Sequence, residues 1–468
     1  MLLMSSASNK YMGRLIVNQS LSSRSDTVSN LSRHLTEAAV RAAKMRTRIR
    51  IISPASALLV GMVALLPSAM ADGGVTPLGP LETVFTKLGS KTPAIASDAS
   101  GNFVVAAVCP DASGNGNSAI CAQLFHADGT PSGNSFFAVN NGSFITTDTT
   151  AVAMTAEGAF AVAWTDDSGA GTRSHVQRFA ADGSPMGPQL GLSKSAYSVP
   201  SLAMDGSGNI AVVWETHREF GFPYVFSAST TSIYTQVYSS SNTPSGPARL
   251  LDSGFEYFPG KYSQNQPSGS ALGSPSLAMD SSGELAVAWT HINVADGTGQ
   301  LFAQRYAATG TPRGVRVTVN TFSASASAPY GVRVAMSASG DFTASWDDAF
   351  SGDIMFRQFN GSGAAKGAAQ TVASKPSGSP SDSDLAMDAQ GNFIITWIGG
   401  PASVTSGIYA RRYDLNGQPF GAAFLIDDVP IASECRVTMT PSGSNLALAW
   451  IAWNGGDSSI QAQSFSVP

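Results

Sequence analysis

Hydrophobic and polar positions alternate along most of the chain in short runs. Each run is closed by Gly, Asp, Asn or Pro, the pattern of β-strands joined by tight turns. One pair of runs serves as reference: Ser201-Leu202-Ala203-Met204-Asp205, followed by Gly208-Asn209-Ile210-Ala211-Val212-Val213-Trp214. The same phrase returns at 275–289 and 384–397, with looser copies at 154–164, 334–346 and 437–450. A first copy at 95–107 has Ala107 where the others have Trp, so six of the seven Trp share one repeat position.

A second phrase follows each first one. Ile408-Tyr409-Ala410-Arg411-Arg412-Tyr413 matches 120–125, 176–179, 233–238, 301–306, 354–359 and 460–465. A Gly-x-Pro-x-Gly turn then follows at 129–133, 183–187, 310–314 and 417–421. Asn242 stands for the first Gly in one copy, as a residue tolerant of left-handed backbone, and Ala365 stands for the Pro in another.

Each unit of about fifty residues therefore reads as four antiparallel strands, A to D. A ends at the Asp, B ends at the Trp, C is the Ile-Tyr-Ala phrase, and D is a short apolar piece such as Phe424-Leu425-Ile426. Seven such units predict an all-β, seven-bladed β-propeller over residues 72–468, with the Trp packed between blades. The seventh unit ends after strand C, while 79–85 has the look of a strand D. The N-terminal piece is therefore expected to complete the last blade. A β-sandwich or β-solenoid predicts no such complementary pair of ends.

Composition changes this picture little, but the N-terminus adds to it. The chain has 468 residues, only 13% of them charged, and 47 Gly, as suits a turn-rich β protein. Met45-Arg46-Thr47-Arg48-Ile49-Arg50, a mostly apolar stretch over 51–66 and Ala69-Met70-Ala71 read as a signal peptide over 45–71. Met45 is then the expected start, and 1–44 an upstream extension without periodicity. A retained anchor is the alternative, but Ser53, Pro54 and Ser56 interrupt the stretch and no second apolar span follows. The protein is thus expected to be exported, to the periplasm or the cell exterior, without a membrane segment. Residues 1–71 hold nine Lys/Arg and two Asp/Glu. That leaves 18 basic and 30 acidic residues, about −12 net, in 72–468, which argues against a nucleic-acid partner.

The repeat resembles that of a group of exported bacterial β-propeller proteins, on the strength of the Gly-Asn-x-x-Val-x-Trp and Ile-Tyr-Ala-Arg-Arg-Tyr phrases, as in 391–413. The likeness spans essentially all of 72–468. It implies a propeller of the cell surface or exterior and brings no catalytic residues with it.

Candidate chemistry is sparse. No nucleophile elbow, phosphate loop, dinucleotide fingerprint or zinc-ligand spacing occurs, so no cofactor is expected. The B–C and D–A connections vary in length and share one face, where binding residues tend to sit. The third unit carries the largest insertions, at 215–232 and 252–274. They hold His217, Arg218, Phe220, Phe222, Tyr224, Tyr257 and Tyr262, which suit stacking on a sugar ring or a flat protein partner unless the two insertions simply pack on each other.

Acids follow several B strands, namely Asp166, Asp167, Glu215, Asp347 and Asp348. They are either solvated loop acids or carboxylates for glycosidic chemistry. Cys109 and Cys121 flank the first B–C loop and are placed to form a disulfide. Between them, 111–117 has the oxygen spacing of a calcium loop beginning at Asp111. With a single carboxylate it reads rather as a Gly/Asn turn.

The resulting expectation is a non-catalytic recognition propeller that binds a glycan or protein on the variable face. The alternatives are a carbohydrate-active hydrolase or lyase using carboxylates at the channel mouth, and a structural component of a surface assembly.

Overall fold

A computed structural model describes residues 74–468 except 87–90, 112–116, 140–143, 146–148, 168–171, 195–197, 223–225, 260–267, 294, 324–328, 375–379, 400–406, 429–431 and 455–456. The expected extension 1–44 and signal segment 45–71 lie outside the described residues. Among the described residues no helix is long and apolar enough to cross a membrane.

Every regular element described is a β-strand, and the strands form seven antiparallel blades in a ring. Strand A of each blade is innermost: Ala94–Ser97, Ala151–Met154, Ser201–Met204, Ser268–Met279, Tyr330–Met336, Ser381–Met387 and Ala432–Met439 in blades 1 to 7. These seven strands surround a central channel. The A–B turns carry the Asp-x-x-Gly signal as predicted. Asp98, for example, accepts the Ser100 and Asn102 N–H groups at 2.9 Å, and Gly101 takes φ 91°. Asn242 adopts φ 65°, the conformation for which it replaces Gly.

The ring closes as the two chain ends suggest. Glu82–Thr86 pairs with the C strand of blade 7, Asp457–Ser466, with Glu82 opposite Ala462. Thr76–Pro77 adds to the same edge beside Phe465 and Ser466.

The core is divided among the seven gaps between blades, one apolar cluster to each. In six of them the repeat Trp packs against the preceding blade: Trp164, Trp214, Trp289, Trp346, Trp397 and Trp450. The gap between blades 7 and 1, where the repeat has Ala107, is filled instead by the stacked rings of Phe103 and Phe125 with Phe85 from the closing strand. In blade 1 the Cys109 and Cys121 sulfurs are bonded across strands B and C, with 5.8 Å between their Cα atoms.

The two insertions of the third unit are strands, not loops. B (Ile210–Phe222) and C (Phe226–Tyr238) of blade 3 extend the hairpin upward. D (Arg249–Pro259) runs beside them, and Tyr257 pairs with Ser268 of blade 4, joining blades 3 and 4 into one eight-stranded sheet. The insertions thus pack on each other.

Candidate functional site

On the variable face the channel opens into a cleft of about 400 Å³ lined by the starts of all seven A strands. The repeat is broken here in one sector only. Four residues before the polar residue that closes strand A, blades 1 to 4 have Ala94, Ala151, Ser201 and Ser276. Blades 5 to 7 have Arg333, Asp384 and Arg436. The smaller residues stitch blades together: the hydroxyl oxygens of Ser201 and Ser276 accept the N–H groups of Leu277 and Val334, each in the next blade, at 3.1 Å. Asp384 keeps that role, taking the Val437 N–H on Oδ2 at 2.8 Å, and also accepts Arg333 Nε on Oδ1 at 2.9 Å.

A bulge precedes the charged position in each of these three blades, where register slips between Tyr330 and Arg333, Ser381 and Asp384, and Ser433 and Arg436. It places Gly331, Asp382 and Glu434 in left-handed backbone, at φ 60°, 52° and 54°. Glycine accepts that conformation without strain, whereas a residue with a Cβ does so at a cost, and such positions concentrate at functional sites. Two adjacent blades thus hold strained carboxylates at the rim. Glu434 Oε2 accepts Arg436 Nη2 at 2.8 Å.

Asp347, the last-but-one residue of strand B in blade 5, lies behind this rim. It accepts the Ser383 hydroxyl of blade 6, and a Cβ on Gly331 would sit 3.2 Å from its Oδ2. A side chain there would press on the carboxyl, and glycine avoids both that contact and the cost of the left-handed backbone. Burial pushes the Asp347 carboxyl up to about 6, with Asp382 adding to the rise against the opposing pull of Ser383 and Arg333. Asp382 is also raised, by burial and then by Glu434. The sector therefore holds Asp347, Asp382, Asp384 and Glu434 against two guanidinium groups.

Among the described residues no group of three or more His, Cys, Asp or Glu is placed to hold a metal ion. Asp111 is buried and its N–H bonds the Asn117 carbonyl at 3.1 Å, while 112–116, the rest of the calcium-like run, lie outside the described residues. Cys435, between Glu434 and Arg436, is buried with its thiol pushed up to about 12, chiefly by burial, which leaves it a poor nucleophile.

Of the acids singled out in the sequence, only Asp347 joins this cluster. Asp166 is buried inside blade 2, bonded to Trp164 Nε1 at 3.2 Å and His175 Nε2 at 3.1 Å. Asp167 closes the same hairpin opposite Thr172. Asp348 caps the B–C turn of its blade through the Phe350 and Ser351 N–H groups, both at 3.0 Å. Glu215 occupies in blade 3 the strand-B position of Asp347, buried, and burial alone pushes it up to about 7.

The aromatic residues gather on one face of the blade 3 wing. Phe220 lies opposite Ala228, which lies opposite Tyr257, and Arg218 is in line with Thr230 and Phe255. Phe220 and Phe255 are about half exposed, their ring centroids 6.1 Å apart. The opposite face, with His217 in reach of Thr231 at 3.3 Å, is approached by blade 4: the Ser270 carbonyl touches Gly254 too closely to admit a Cβ there. Tyr224, Tyr262 and the side chain of Phe222 lie outside the described residues.

No protein-family model and no curated protein sequence matches the chain. Solved structures do match its fold. Residues covering 67% of this chain align with 92% of the α-L-arabinofuranosidase Arb93A from Fusarium graminearum, at 11% identity and TM-score 0.42. A PL25 ulvan lyase aligns over 85% of this chain and 95% of its own, at 9% identity and TM-score 0.48. A prolyl endopeptidase aligns over 81% of this chain but half of its own, at 12% identity and TM-score 0.40. At these identities the likeness is one of fold.

The expectation of a non-catalytic recognition propeller is corrected at the mouth, where the chain groups carboxyls of the kind that its enzymatic alternative requires. The similar structures include a glycoside hydrolase, an endo-arabinase and polysaccharide lyases. Within the chain itself, Arg333, Asp384 and Arg436 line the cleft, and Asp382 and Glu434 stand two residues before the last two of these on left-handed backbone.

Proposed function

We propose that the protein is an exported carbohydrate-active enzyme that hydrolyses glycosidic bonds at the channel mouth. The observation that carries this reading is the pair Asp382 and Glu434, two carboxylates in left-handed backbone at the same bulge of adjacent blades, with Asp347 behind them. Hydrolysis at an acetal carbon needs one carboxyl that holds its proton and a second that stays available as base or nucleophile. Asp382, raised by burial and by its neighbour, suits the donor role, and Glu434, turned toward Arg436, suits the second. Asp347 acts with Asp382 as a positioning residue: the Asp382 charge raises the Asp347 carboxyl, and because like-charge repulsion is mutual, a charged Asp347 makes loss of the Asp382 proton harder.

Hydrolysis is favoured over elimination by the state of the arginines. A lyase must neutralise the carboxylate of a uronic acid, and here Arg333 and Arg436 are each engaged by a carboxylate of the protein. The test is release of reducing ends from a panel of soluble neutral and acidic polysaccharides. Activity lost in both Asp382→Asn and Glu434→Gln, without ultraviolet absorbance from an unsaturated uronide, is the expected result. Full activity in both variants, or no activity of the native protein on any glycan, overturns the reading.

A further inference from the structure

The opposite end of the channel holds donors that the proposed chemistry does not use. Met154, Met204, Met279, Met336, Met387 and Met439 are the last residues of strand A in blades 2 to 7. Each rests against the apolar cluster shared with the preceding blade, so the six are arranged in one rotational sense. All six also line a single cavity of about 210 Å³ at the level of the A–B turns. In blade 1 the position is Ser97.

Apolar filling does not account for the choice of sulfur. Two residues earlier on the same strands, and therefore on the same face, the repeat has Ile95, Val152, Leu202, Leu277, Val334, Leu385 and Val437, branched aliphatics in every blade. One layer is entirely branched and the next is thioether in six blades of seven. The carboxylates that line the cavity are already engaged. Asp205 holds the Ser207 and Asn209 N–H groups at 2.9 and 2.8 Å, and Asp388 holds Asn392 through both carboxylate oxygens at 2.8 Å. Uncharged thioether sulfur remains, on flexible side chains that can reorient about a guest. Thioethers are soft ligands that select copper(I) over hard divalent ions, and they need no deprotonation to bind.

We propose that this methionine ring is a binding site for a soft monovalent cation, copper(I), independent of the chemistry at the mouth. The test titrates the native protein with copper(I) under anaerobic conditions against a chromophoric copper(I) chelator, with silver(I) calorimetry in parallel. Binding of a single equivalent is expected. It should weaken about tenfold or more, a loss of about 1.4 kcal/mol or more, in a Met279→Leu/Met336→Leu/Met387→Leu variant, because Leu conserves volume but removes the donor. A Cys435→Ser variant should bind as the native protein does. The proposal is overturned if the native protein takes no copper(I) from the chelator. It is equally overturned if the Leu variant, shown folded by its melting transition, binds unchanged, or if Cys435→Ser abolishes binding.

Discussion

Asp384 of blade 6 joins three blades through one carboxylate: Oδ1 accepts Arg333 Nε of blade 5 at 2.9 Å and Oδ2 accepts the Val437 N–H of blade 7 at 2.8 Å. Removing it leaves a guanidinium and a buried N–H without their acceptor in the same step. Asp384→Ala is expected to lower unfolding free energy by about 2–4 kcal/mol, somewhat less than a fully buried pair because Arg333 retains contact with water. Asp384→Ser, which restores the acceptor used by blades 3 and 4, should recover part of that loss. Urea unfolding of the three proteins checks both expectations.

Asp347 provides a pH signature. Its folded value near 6 lies above the ordinary value of 3.8, so the folded state binds the proton more tightly. The stabilisation is complete below about pH 4 and is lost as pH rises through about 6, a change on the order of 3 kcal/mol. Asp347→Asn should remove this slope, seen as unfolding free energies of the two proteins that converge or cross between pH 4 and 7. In the enzyme assay the same variant should move the alkaline limb of the rate profile to lower pH. A purely structural Asp347 would leave that limb in place.

Glu215 follows the same sign with a higher window. Burial raises it from 4.5 to about 7, so its contribution is present in acid and lost between about pH 4.5 and 7. Glu215→Gln should gain stability over the native protein above pH 7, on the order of 1–3 kcal/mol, and gain little at pH 4. Thermal melts at the two pH values separate this from a general effect of the substitution.

The Phe220 and Phe255 face stands on the same side of the ring as the mouth and suits stacking against successive sugar rings of a polymer. Phe220→Ala/Phe255→Ala should raise KM on a long polysaccharide about tenfold while leaving kcat/KM on a small aryl glycoside unchanged, the mark of binding remote from the reacting bond. Equal effects on both substrates would remove the wing from substrate binding.

The repeats carried most of the fold. Six Trp at one position, the Asp-x-x-Gly turns and the complementary chain ends each correspond to a packed gap, a turn or a closing strand. The wing lengthens strands where the repeat predicts connections, and its length and polarity give little sign of this. Yet Thr230, Thr231 and Ile233 are β-branched, and a hairpin lengthens readily when both of its strands find a partner.

The mouth cluster was legible in principle. Arg333, Asp384 and Arg436 stand out once the seven A strands are aligned, because four other blades have Ala or Ser there. The change is one of residue type inside a strand of constant position in the repeat, and variation in loop length does not mark it. The left-handed backbone at Asp382 and Glu434 had no such signal, because a bulge arises from the pairing of two strands and leaves no mark in either one.

The closing strand has a consequence for synthesis. Gly79 and Gln463, 384 positions apart, are hydrogen-bonded across blade 7, and among the described residues Glu82–Thr86 pairs with no other strand. A ribosome releases this segment long before its mate exists. Until then six finished blades form an open arc with an apolar flank at each end, built from residues such as Phe103 and Val105 of blade 1 on one side and Ile394 and Ala410 of blade 6 on the other. Sealing of the ring is therefore the last step of folding, and the event that removes these two flanks from water.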